Sequence, residues 1–222
     1  MANKKRNTMD DELLDGHVRV ALFGSAIMKK TDPNYKMVYR LSKRIGAAGI
    51  DVVTGSGPGL MEAANSGHVE GRENEETHSI GLAIKLPNEQ KPNKDVDVLH
   101  RFEHFSNRLE DFVLLSNVFV VAPGGVGTLL ELLYVLQLVK VGKICDSKMI
   151  LIGDFWPGFI RWLKSSPLKK NYITISDVNK LILVKNEDEA FKIIDKEFKK
   201  FKKLGKKYCL NQEVYGKKPK KK

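Results

Sequence analysis

Seven short apolar runs rich in β-branched residues recur along the chain, and helix-patterned segments separate almost every consecutive pair. They fall at 18–24, 50–55, 78–86, 96–102, 117–125, 148–154 and 180–185. Several end on glycine, and their apolar residues run on rather than alternate, as in strands buried on both faces. Of the segments between them, 32–49 offers Pro33 for a first helical turn and the stripe Tyr35, Val38, Leu41 and Ile45. Further helices are expected at 58–71, 103–116, 128–142, 155–166 and 186–201, the last opening with acids where the helix dipole favours them. Such a succession closes only as a parallel sheet with helices on both faces, so a single α/β domain is expected. Ligands in such sheets bind beyond the carboxyl ends of the strands, near a reversal of strand order.

Charge divides the chain unevenly. The formal net charge is +11, yet residues 199–222 hold eleven Lys against one Glu, and the rest is almost balanced. The expected organisation is an N-terminal extension at 1–16, the α/β domain at 17–204 and a flexible Lys-rich tail at 205–222. Such a tail can bind polyanions by counterion release or equally stay a solvated end, so the tail is the one place where nucleic acid could engage. The first residues lack the apolar core of a signal peptide, and no stretch of about 18 uncharged apolar residues occurs, so a cytoplasmic protein without membrane contact is expected. Cys145 and Cys209 form no C-x-x-C pair, which argues against a thiolate zinc site and a disulfide framework. Cys145 reads as a small, partly buried residue. The run "HRFEH", His100 to His104, formally matches an H-x-x-E-H metal motif, but the strand pattern up to Phe102 separates the histidines, and no metal is expected. Trp156 and Trp162 read as core or interface packing.

Two of the strand-like runs lead into glycine turns that open helices: "TGSGPGLMEAAN" at 54–65 and "PGGVGTLLE" at 123–131. Gly55, Gly57 and Gly59 in the first, and Gly124, Gly125 and Gly127 in the second, bare the backbone N–H groups that a phosphate would meet at a helix start. Neither loop carries the Gly-Lys-Ser/Thr of a nucleoside triphosphatase, and neither has G-x-G-x-x-G spacing. A mononucleotide or sugar phosphate is therefore expected, rather than NAD or ATP hydrolysis. One acid, Glu131, stands in the leucine-rich segment after the second loop. Burial there would be costly unless the carboxylate is used. Exposure near the helix start would be ordinary. Spacing alone leaves both readings open.

"PGGVGTLLE" resembles the PGGxGTxxE motif of the LONELY GUY (LOG) family, once labelled lysine decarboxylases. "GSGPGLMEAAN" resembles its GGGxxGxM stretch, with Ser56 at the middle glycine. "FSNRLEDF" sets Arg108 where the family carries an arginine, with Leu109 in place of a frequent lysine. "LFGSA" is similar to the family's first-strand turn, with Ala26 for a serine. The likeness spans about residues 17–198. It implies a Rossmann-like homodimer that hydrolyses nucleoside 5′-monophosphates, AMP-like or cytokinin-like, to free base and ribose 5-phosphate, without metal or organic cofactor. It further implies Glu131 and Arg108 as catalytic residues. Gly24, Ser25, Gly55, Gly57, Gly59, Met61, Gly124, Gly125, Gly127 and Thr128 are implied around the phosphate and ribose. Glycosidases usually use two carboxylates; Glu62 and Asp111 are the candidates for a second, and a surface acid and a helix ion pair are their plainer readings. Competing readings on the same fold are a non-catalytic binder similar to molybdenum-cofactor carriers and a nucleic-acid module of the DprA kind. A decarboxylase would need pyridoxal phosphate on a lysine, and neither glycine loop offers one.

Overall fold

A computed structural model describes residues 17–73, 76–87 and 91–215. The expected extension at 1–16 and the last part of the tail, 216–222, lie outside the described residues. All seven expected strands form: β1 (Arg19–Phe23), β2 (Asp51–Thr54), β3 (Ser79–Ile84), β4 (Val98–Phe102), β5 (Val118–Val121), β6 (Lys148–Ile152) and β7 (Leu181–Val184). Every pairing is parallel, in the order β4-β3-β2-β1-β5-β6-β7. The chain steps outward from β1 to β4, returns to set β5 beside β1, and steps outward again. The order thus reverses between β1 and β5.

The continuous apolar runs are explained by two cores, one on each face. In β1, Val20 and Leu22 enter one, and Ala21 and Phe23 enter the other. The first core is covered by helices α1 (Pro33–Ala47), α2 (Leu60–Gly71) and, late in the chain, α7 (Glu187–Leu204). The second lies under α3 (Phe105–Leu115), α4 (Val126–Lys140), α5 (Trp156–Leu163) and α6 (Ile175–Asn179). Helix α1 starts as its sequence dictates: Pro33 takes the first turn and the Asp32 carboxylate accepts from the Asn34 N–H at 2.7 Å. Its stripe Tyr35, Val38, Leu41 and Ile45 is buried. Trp156 is fully buried, whereas Trp162 is 54% exposed and stacks on Phe159. Helix α6 carries no apolar stripe over its five residues, so periodicity misses it; the reciprocal Thr174–Asp177 cap starts it.

The C-terminal boundary differs from expectation. Residues 205–215 do not hang free: Tyr208, Leu210 and Asn211 are buried, and Asn211 opens a short helix α8 (Asn211–Val214). The Tyr208 hydroxyl donates to Glu197 at 2.9 Å. A lysine-rich composition concealed three buried side chains. The argument against a disulfide fails in the same place, because Cys145 and Cys209 are bonded across a separation of 64 residues. Cys145 is buried as expected but is not a free thiol. Among the described residues no helix is long and apolar enough to cross a membrane, and no group of three or more His, Cys, Asp or Glu is placed to hold a metal ion. His100 lies on β4, 3.4 Å from Asp111, and His104 precedes α3.

Candidate active site

The reversal between β1 and β5 opens a crevice at their carboxyl ends, and a cleft of about 410 Å³ lies there. Nine of the twelve expected residues line it. Gly24, Ser25 and Gly55 come from the turns after β1 and β2, and Met61 from the start of α2. Arg108 comes from α3, and Gly125, Gly127, Thr128 and Glu131 come from the start of α4. Gly57, Gly59 and Gly124 do not line the cleft but shape its walls. The Gly57 carbonyl accepts from Asn93 Nδ2 at 3.0 Å. Gly59 has φ +68°, and a Cβ there would lie 2.4 Å from the Ser25 carbonyl oxygen. A Cβ at Gly124 would meet Thr128 Oγ1 at 2.2 Å.

Alike in sequence, the two glycine loops differ in what they leave open. The Ser25 N–H donates to the Pro123 carbonyl at 3.1 Å, and the Ser25 carbonyl accepts from the Leu60 N–H at 2.9 Å. The opening amide of α2 is therefore spent on the β1 turn. At α4 the first bond runs from the Leu129 N–H to the Gly125 carbonyl, and the amides of Val126, Gly127 and Thr128 take no partner among the described residues. A Cβ at Gly125 or Gly127 would meet nothing within 4 Å, so packing does not demand glycine at either position. Unpaired amides at the positive end of a helix dipole, with bare backbone before them, form an anion site. In the first loop Ser56 holds φ 62°, a conformation that costs a non-glycine residue roughly 1–2 kcal/mol. Thr54 Oγ1 accepts from its N–H at 3.0 Å and its carbonyl accepts from the Asn93 N–H at 2.8 Å. The serine thus keeps a turn in which glycine is the unstrained choice. Leu109, in place of the lysine, is buried.

Glu131 is only 9% exposed, which removes the reading as a surface acid. Arg108, equally buried, sets Nη1 3.3 Å from Glu131 Oε1, and its Nε donates to the Leu82 carbonyl at 2.7 Å. The guanidinium also lies 5.0 Å from the centre of the Phe112 ring. The guanidinium thus pairs with Glu131 while still lining the cleft, where an anion would also suit its charge. Burial raises the Glu131 carboxyl from 4.5 to about 7, with the Arg108 charge opposing that rise. Burial likewise holds Arg108 below its ordinary value, against the attraction of Glu131. The guanidinium fits because position 55 has no side chain: a Cβ there would fall 2.1 Å from Arg108 Nη2.

Neither candidate for a second carboxylate reaches the cleft. Glu62 pairs with Lys30 at 2.8 Å and Asp111 faces His100. Glu131 is the one carboxylate among the described lining residues, and none of those residues is a lysine of the kind that forms a Schiff base in a decarboxylase. Sequence reasoning missed the apolar wall made by Ile27, Ala83, Ile84, Leu86 and Phe105. Ile27 is 90% exposed and Phe105 48%. Their signal was position alone, directly after the carboxyl ends of β1, β3 and β4, where such sheets bind ligands.

Residues 61–194 match the sequence model of a family described as "Possible lysine decarboxylase". A pyrimidine/purine nucleotide 5′-monophosphate nucleosidase of Escherichia coli (strain K12) is 32% identical over 122 residues, which are 53% of this chain. The chain covers 27% of that relative's length. Among solved structures, the molybdenum cofactor binding protein of Rippkaea orientalis aligns with TM-score 0.60 and 22% identity, covering 82% of this chain and 97% of that one. DNA processing protein A of Helicobacter pylori aligns with TM-score 0.55 and 12% identity, over 84% of each chain. At these identities the two structures share the fold, and the likeness extends no further.

Proposed function

Because the chain belongs to the LONELY GUY family, whose model carries the lysine decarboxylase description, we propose that it hydrolyses the N-glycosidic bond of nucleoside 5′-monophosphates. The observation that carries this reading is the buried Glu131–Arg108 pair beside the unpaired amides at the start of α4. In this reading those amides hold the 5′-phosphate, which positions the ribose before any bond changes. The apolar wall near Ile27 and Phe105 receives the base. Water bonds to C1′, the C1′–N bond breaks, and its electron pair leaves with the base, which takes up a proton. Positive charge grows at C1′ on the way, as in glycoside hydrolysis. The Glu131 carboxylate opposes that charge and accepts the proton of the attacking water. Arg108 favours the ionised form of the carboxylate and aims it.

A nucleotide panel tests the reading. AMP and N6-substituted, cytokinin-like monophosphates are expected to give free base and ribose 5-phosphate. Adenosine should stay intact, because it lacks the anchoring anion, and ATP should turn over poorly. Comparable cleavage of adenosine would remove the phosphate anchor from the mechanism. Absence of ribose 5-phosphate from every monophosphate would leave a nucleotide binder on this fold.

The reading extends to a homodimer. Leu130 and Leu133 on α4 are close to half exposed, and Trp162 and Phe155 are more than half exposed at α5. A second copy of this chain would cover them. Light scattering at micromolar concentration is expected to give twice the chain mass of 25.0 kDa; a monomer would sink this part of the reading.

A further inference from the structure

The last described segment reaches both helices that carry the charged pair. Asn117 Nδ2 donates to the Cys209 carbonyl at 3.0 Å. The Asn211 side chain accepts from the Cys145 N–H at 3.0 Å and donates to the carbonyl of Ser116, the residue that ends α3, at 2.6 Å. Helix α8 then packs along α3. Beyond it, the Tyr215 hydroxyl bonds the Tyr134 hydroxyl at 3.0 Å. Tyr134 lies on α4, about one turn after Glu131. Residues 208–215 therefore strap α3 to α4, and the Cys145–Cys209 bond ties the strap down at its start.

We propose that this disulfide is a redox lock on the strap: oxidised, it holds α3 and α4 in the arrangement that pairs Arg108 with Glu131; reduced, it lets the strap lift and the pair loosen. The proposal rests on the reading of that pair as the reacting site. Two observations favour a lock over a staple. The bond lies outside the sheet, so breaking it removes no strand pairing. Cys209 is exposed, so a soluble thiol reaches it. In a glutathione-buffered compartment such a bond is made and broken as a signal. Reduction would come from a dithiol of the thioredoxin class. Its thiolate attacks Cys209 Sγ, the S–S bond breaks, and Cys145 leaves as a thiolate and takes a proton. The second reductant thiol then closes on the mixed disulfide and releases Cys209 as a thiol. Two electrons and two protons pass to the protein, and the dithiol becomes a disulfide.

The test uses the full chain, air-oxidised or treated with dithiothreitol, with free thiols counted first. Reduction is expected to speed amide exchange in α3 and α4 about tenfold while α1 is unchanged, since local opening is graded across a fold. AMP turnover should fall several-fold in the same samples. Cys209→Ser should match the reduced protein and ignore dithiothreitol. Tyr215→Phe, with the bond intact, should reproduce part of the exchange change, because only the hydroxyl contact to α4 is lost. Free thiols in the oxidised protein would overturn the proposal. So would equal exchange in both states, a uniform rise that includes α1, or faster exchange with unaltered turnover. If neither state cleaves AMP, the proposed reaction fails on its own, and the exchange data still decide whether the strap is locked.

Discussion

Replacing Glu131 with Gln is expected to lower AMP turnover by about 100-fold or more, the scale seen when one electrostatic partner of a transition state is removed. Gln keeps the size and hydrogen-bonding reach and loses only the charge. Ground-state binding should change far less, because the phosphate rests on backbone amides that the substitution leaves alone. The pH dependence sharpens the expectation. With the Glu131 carboxyl raised to about 7, turnover of the native protein should climb through neutrality and level off above it. That limb should be missing in Glu131→Gln. Stability should move the opposite way. Between pH 4.5 and 7 the unfolded chain gives up a proton that the folded chain keeps. The stabilising contribution of this group is therefore complete below 4.5 and lost as pH rises through 7. Glu131→Gln should then melt higher than the native protein at pH 8 and equally at pH 4. Wild-type turnover in this variant would end the hydrolytic reading.

Gly55→Ala should lose at least tenfold in turnover at pH 7 while remaining folded. Its Cβ would fall 2.1 Å from Arg108 Nη2 and 2.7 Å from Met61 Sδ, both at the ends of flexible side chains, so the backbone survives and the guanidinium gives way. Arg108 cannot move far without breaking its bond to the Leu82 carbonyl or its pairing with Glu131. Arg108 is the charge that opposes the upward shift of Glu131. With the guanidinium displaced, the acid limb of the pH profile should move above 7, and part of the lost turnover should return at pH 9. A native pH profile in Gly55→Ala would mean that the guanidinium does not govern Glu131. Arg108→Ala, which removes the charge outright, should show the same upward displacement, so the two variants check each other.

Local pattern made much of this molecule legible. Strand runs, glycine turns and the Tyr35–Val38–Leu41–Ile45 stripe are statements about neighbours in sequence, and backbone sterics and burial act on neighbours. The same locality sets Glu131 one turn beyond a glycine-rich helix start. Only the tertiary structure decided the rest, because those contacts join residues with no common spacing. The "PGG" and "GSGPG" loops looked equivalent until the Ser25 carbonyl was found on the Leu60 amide, which takes the first amide of α2 while the first amide of α4 stays open. Arg108 and Glu131, 23 residues apart, meet because the fold brings α3 beside α4. Gly55 read as a turn residue, yet the space it leaves is filled by a guanidinium from another helix. A lysine-rich composition could not show that Tyr208, Leu210 and Asn211 are buried, or that Cys209 meets Cys145. Those pairings follow from how the two halves of the sheet fold back around β1, and no window of the sequence contains both partners.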